Sequence, residues 1–120
     1  MVDCQELIQY IIINKDLNMS SGKIAAAAAH AATTCTFIYL QSGSTVIEKW
    51  ASWYYDYKQK KIILQAHQSF LEKYEDNLAY FRVRDIGCNE VEPNSLTAIS
   101  LGIMTREEAE PIVKRLQIYK

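Results

Sequence analysis

The first patterned segment of the chain is Leu7-Ile8-Gln9-Tyr10-Ile11-Ile12-Ile13, nearly continuous in apolar and β-branched residues. Such a run predicts a strand covered on both faces. Asn14 to Gly22 reads as a connecting loop, and the serines of Ser20-Ser21-Gly22 are suited to capping a helix by accepting a free backbone N–H. A helix is predicted from about Lys23 to near Leu40, because its alanines lose no side-chain entropy there. After the turn-like Gln41–Thr45, Val46, Trp50, Trp53/Tyr54 and Tyr57 recur at helical spacing and predict a second helix with an aromatic stripe. That stripe suits either cover for the sheet or a homodimer surface.

Further on, the pattern predicts a short strand at Lys61–Leu64 and a helix from His67 to Asn77. Strands follow at Leu78–Val83 and Leu96–Leu101, with turns at Asp85–Gly87 and Pro93–Asn94. Thr105-Arg106-Glu107-Glu108 fits a capping box that opens a last helix, in which Pro111 should cause a kink or delay the regular part. The order β-α-α-β-α-β-β-α implies an α/β protein. We expect a single αβα layer domain over residues 1–120, with a mixed sheet of about four strands flanked by helices.

Within the long helix, a rotation of 100° per residue puts Lys23, Ala27, His30 and Thr34 on one narrow stripe. Ile24, Ala28, Ala31, Cys35 and Ile38 form an adjacent apolar stripe that would face the sheet. Lys23 falls in the first turn, where backbone N–H groups and the helix dipole already favour an anion. A lysine there adds a full positive charge for a phosphate, a carboxylate or a developing oxyanion. His30, two turns further in, is suited to act as a neutral base near physiological pH. The plainer reading of the same spacing is a buried, hydrogen-bonded His30 beside a solvated Lys23.

Composition narrows the partners. A hydrophobic fraction of 49% in 120 residues is enough for one substantial core. The Leu7–Ile13 run is far shorter than the roughly 20 residues needed to span a bilayer. Cys4, Cys35 and Cys88 form no paired framework or CxxC motif, which fits reduced thiols and a cytoplasmic location. With 13 basic against 14 acidic residues, any affinity for a nucleic acid has to come from a local basic patch. The candidates are Lys58, Lys60 and Lys61; Arg82 and Arg84; and Lys114, Arg115 and Lys120.

Two segments carry a family resemblance. Asp16-Leu17-x-Met19-x-x-Gly22-Lys23-x-Ala25-Ala26, followed by His30-Ala31, resembles the signature of the type 2 peptidyl-tRNA hydrolases. Asp85-x-Gly87, followed by Pro93-x-Ser95-x-Thr97, resembles that family's DAGRTQ-x-x-PGS-x-T stretch. The resemblance extends from Leu7 to Tyr119. It implies a compact αβα fold, commonly dimeric, that hydrolyses the ester between a peptide and the tRNA 3′ end without a metal or other cofactor. By position, it implies catalytic roles for Lys23, His30 and Asp85 and substrate contacts from Gly22, Asn89, Ser95 and Thr97. Asp16 matches a motif acid, expected to hydrogen-bond loop N–H groups and shape the turn. The implied partner is tRNA, as peptidyl-tRNA, with no membrane.

The chain departs from the family pattern at Ala27, where the family has glutamine, and at Cys88, Asn89 and Glu90, which replace its arginine, threonine and glutamine. These changes motivate an alternative: a catalytically impaired member that binds a nucleotide, an anion or a protein. A Cys88–His30 pair, a third possibility, lacks a surrounding nucleophile signature. His67 is expected at a helix entry on the surface.

Overall fold

The computed structural model describes residues 5–75 and 91–120, together with the backbone of 82–84. The elements follow in the order β1 (Ile8–Asn14), α1 (Ser21–Leu40), α2 (Ser44–Ala51), β2 (Lys61–Ala66), α3 (Gln68–Glu75), β3 (Arg82–Arg84), β4 (Leu96–Met104), α4 (Arg106–Val113) and β5 (Gln117–Ile118). The strands form one mixed sheet in the order β3-β4-β1-β2-β5. β1 runs parallel to β2 and antiparallel to β4, while β3 and the two-residue β5 are antiparallel edges. The expected α/β layer fold is therefore present, with β5 as a short addition to the four main strands. The expected strand residues 78–81 lie outside the described residues.

Every residue of β1 is buried, as its continuous apolar run requires. Ile8, Tyr10 and Ile12 turn to one face, where they meet Leu64, Ile99, Leu101, Leu71 of α3 and Ala109 of α4. Ile11 and Ile13 turn to the other face and pack with Ala27 and Ala31 of α1 and with Ala98. Helices thus cover both sides of the sheet.

A bulge in β4 adjusts this layering. The register passes from Tyr10↔Gly102 to Ile11↔Ser100, so β4 carries one extra residue, and Gly102 has φ 86°. That left-handed conformation favours glycine. Across the bulge, Leu101 joins the α3/α4 core while Ile103 joins the cluster with Cys35, Tyr39 and Trp53. The Ile103 N–H donates to Tyr39 Oη at 2.9 Å, so α1 supplies a partner at the irregularity.

The aromatic stripe of the second helix is divided by a π-helical turn at Ser52–Asp56. Trp53 is driven into the core and donates its indole N–H to the Lys60 carbonyl at 2.8 Å. Trp50 stacks on Tyr54 and donates to Thr36 Oγ1. Phe37, Leu40, Ile47, Tyr54 and Tyr55 remain exposed. Among the described residues no helix is long and apolar enough to cross a membrane.

The sequence-based capping box is complete. Glu108 N–H donates to Thr105 Oγ1 at 3.2 Å, and Thr105 N–H donates to Glu108 Oε1 at 2.9 Å. Pro111 sits inside α4, which stops at Val113. Replacing Thr105 by alanine removes the cap and should cost about 1 kcal/mol. In a chain of this size that corresponds to a Tm lower by about 4 °C. Thermal unfolding followed by circular dichroism checks it, and an unchanged Tm would deny the box any share in stability.

Candidate functional site

Parallel pairing of β1 with β2 puts their C-terminal ends side by side, and the N-termini of α1 and α3 follow from them. In α/β sheets such strand ends are where ligands bind. β1 closes with Asn14, almost completely buried, although the sequence placed it at the start of a loop. Its side chain joins three segments. Nδ2 donates to the Leu96 carbonyl at 2.9 Å and also to Gln68 Oε1. Oδ1 accepts the Asp16 N–H at 3.0 Å and so caps a 3-10 turn over Lys15–Leu17.

Asp16 extends the junction. Its Oδ2 accepts the Gln68 N–H at 2.7 Å, and its Oδ1 lies 2.8 Å from His67 Nδ1, whose N–H donates. The motif acid was expected to bond loop N–H groups of its own turn; it accepts instead the N–H of Gln68, the first residue of α3, 52 residues away. The Gln68 N–H is the largest cause that holds the Asp16 carboxyl below its ordinary pKa, and the His67 hydrogen bond is the second. His67 is exposed at the entry to α3, as the sequence implied, but its bond to Asp16 had no local sequence signal.

α1 begins with Ser20 as its cap, accepting the Lys23 N–H on Oγ at 3.3 Å. The N–H groups of Ser21 and Gly22 precede the intrahelical ladder. A Cβ built on Gly22 would meet nothing within 4 Å, so the backbone there is open to an approaching group. Lys23 is half-buried one residue later. The arrangement combines a cation with first-turn N–H groups, which suits a phosphate or an oxyanion.

The other expected site residues fall as follows. His30 is exposed on α1, which corrects the reading of a buried histidine, and it stands about 10 Å further along the axis than Lys23. Ala27 is only 2% exposed and belongs to the core, not to a stripe shared with Lys23 and His30. The buried face of α1 is Ala27, Ala31, Cys35 and Tyr39, with Ile24 and Ala28 beside it. At the start of β4, Ser95 donates its hydroxyl to the Glu92 carbonyl at 2.6 Å and closes a turn, while Thr97 is fully buried. Asp85, Cys88, Asn89 and Glu90 lie outside the described residues. Arg84, the last residue described before them, pairs with Leu96, whose carbonyl takes the Asn14 amide. Cys35 is buried, and burial pushes its thiol up to about 11.

The Asp16 junction makes a pH prediction. A carboxyl whose pKa is depressed by folding adds stability above its unfolded value, about 4, and loses that contribution as the pH falls through the folded value. Asp16→Asn should therefore be less stable than the parent at about pH 6, and the gap should close in strong acid, where both side chains are neutral. Urea unfolding at the two pH values measures it; a gap independent of pH would refute the linkage.

Comparison with known proteins follows the same span as the fold. The family model described as "Peptidyl-tRNA hydrolase PTH2" matches residues 7–119. A protein named peptidyl-tRNA hydrolase from Thermoplasma acidophilum is 32% identical over 114 residues, covering 90% of this chain and 94% of its own. One of the same name from Staphylothermus marinus is 36% identical over 104 residues, covering 81% and 82%. A third, from Methanopyrus kandleri, is 32% identical over 118 residues, covering 93% and 97%.

Proposed function

The chain belongs to the peptidyl-tRNA hydrolase PTH2 family, and from that premise we propose that it hydrolyses the ester of peptidyl-tRNA, releasing peptide and free tRNA. The family match over residues 7–119 carries the reading. The relatives' shared name weighs against the alternative of an impaired binding module.

In the proposed mechanism, Lys23 and the first-turn N–H groups of α1 hold a phosphate or stabilise the tetrahedral oxyanion. Asp85 or His30 orients or deprotonates the attacking water. Gly22, with its open backbone, Asn89 and Ser95 make the substrate contacts, whereas Thr97, fully buried, is withdrawn from that set. The open backbone of Gly22 and the half-buried Lys23 in the first turn of α1 support the first of these roles. His30 stands about 10 Å along the axis of α1 from Lys23, away from the group that Lys23 would hold. The reaction needs only water as co-substrate, and we assign it no metal or other cofactor.

We extend the reading to residues 1–120 as one domain, working in the cytoplasm, where a translation-related substrate is found. A homodimer through the exposed aromatic and aliphatic side chains of α1, α2 and the π turn is part of the same proposal. A local basic patch would meet the tRNA.

Single replacements test the mechanism with a peptidyl-tRNA turnover assay. Lys23→Ala should lower kcat/KM by about 10² to 10³, the usual loss for an oxyanion-stabilising group. Asp85→Asn should lower it by about 10² or more, as for a general base. Nearly full activity in His30→Ala would leave the base role to Asp85. Full activity in all three variants would sink the mechanism.

A further inference from the structure

The cations of this chain are not spread evenly. A cavity of about 360 Å³ lies between the β1–α1 connection, the start of α3 and the residues after α4, with Lys15, Phe70, Arg115 and Leu116 in its lining. A second, of about 300 Å³, lies between α3 and α4, with Phe70, Lys73, Lys114, Arg115 and Leu116 in its lining. Shared Phe70, Arg115 and Leu116 make the two one groove. Four cations line it (Lys15, Lys73, Lys114 and Arg115), and among the described residues no carboxylate does. That is a marked segregation in a chain of net charge −1. Asp16, next to Lys15 in the chain, is already engaged by the Gln68 N–H and His67.

The groove also carries rings. Phe70 and Tyr74 lie 4.8 Å apart between centroids, both half-buried, with the Lys73 ammonium 5.4 Å from the Tyr74 ring. Cations that follow a backbone, interleaved with aromatic faces, are the means by which proteins hold single-stranded nucleic acid. A duplex would ask instead for a broad basic surface without stacking faces. The groove begins at Lys15, in the same connection that leads to Lys23.

Resting on the hydrolase reading, we propose that this α3/α4 groove holds the single-stranded 3′ end of the tRNA, with phosphates on Lys15, Lys73, Lys114 and Arg115 and a base against Phe70. It fixes the strand while the ester lies at the N-terminus of α1.

The experiment titrates the protein with deacylated tRNA, and with the same tRNA trimmed of its single-stranded 3′ end, by fluorescence anisotropy across a range of salt. The variants are Lys114→Gln/Arg115→Gln and, independently, Lys15→Gln/Lys73→Gln. Lys15, Lys73, Lys114 and Arg115 are all exposed, so the fold should be kept. Each double variant should bind intact tRNA roughly fivefold or more weakly at low salt, with a log–log salt slope shallower by about 1.4 for the two lost phosphate contacts. Trimmed tRNA should bind parent and variants alike. Unchanged affinity and slope would overturn the proposal, and so would an equal loss with trimmed tRNA, which would put the duplex in the groove. Turnover of peptidyl-tRNA separates the two readings. Parent protein that binds tRNA as described but does not cleave peptidyl-tRNA would defeat the hydrolase reading alone. Active parent protein with indistinguishable double variants would defeat the groove alone.

Discussion

Parallel pairing of β1 with β2 obliges the chain to leave one end of the sheet and return to the other before it can pair again. α1 and α2 make that return across one face, and the C-terminal ends of the two strands then lie together. From this follow the adjacent starts of α1 and α3, and the need to fix two loops that are about 50 residues apart in sequence. Asn14 and Asp16 do so with side chains in place of strand pairing. One amide reaches Leu96, Gln68 and the next turn, and one carboxylate takes the first N–H of α3 and the His67 ring. Hydrogen bonds to a charged acceptor are the stronger kind, so a small number of them can define a loop.

Much of this fold was legible because several sequence signals agreed. The unbroken apolar run of β1, Ser20 as a cap and the Thr105/Glu108 box each have a local physical cause and appear where they were expected, while the break expected at Gln41–Thr45 is shorter, because α2 already starts at Ser44. The face of α1 was not legible to the same degree. Five successive alanines offer no contrast between one side and another, so spacing alone could not show that Ala27 is buried with Ala31 and Cys35. The sheet decides that face, through Ile11, Ile13 and Ala98. The bulge at Gly102 and the π turn before Tyr57 were hidden for a related reason. Each inserts a residue into a regular period; the bulge meets Tyr39 Oη from a distant helix, and the Trp53 indole of the π turn meets the Lys60 carbonyl seven residues on.

The site divides along the same line. Lys23 and Gly22 at a helix start can be read from the order of residues, because a strand, a loop and a capped helix are all local features. The Asp16–His67 bond spans 51 residues and depends on which strands are neighbours. Sequence showed the motif acid; only the topology shows that it ties the β1–α1 connection to α3.

That tie bears on how a long substrate would be held. Lys15 and Asp16 lie on the connection that leads into the first turn of α1, where Lys23 stands, and Asp16 is bonded to the first turn of the helix that carries Phe70 and Lys73. A movement of this connection relative to α3 would have to break the carboxylate's bonds to Gln68 and His67. The basic groove and the first turn of α1 are therefore held in register by hydrogen bonds that need not touch a ligand. Binding energy gained far from a reacting ester helps its cleavage only when the two regions keep a fixed relation. In this chain the Asn14–Asp16 junction fixes the β1–α1 connection to α3 in this way, through a motif acid that stands seven residues before the lysine.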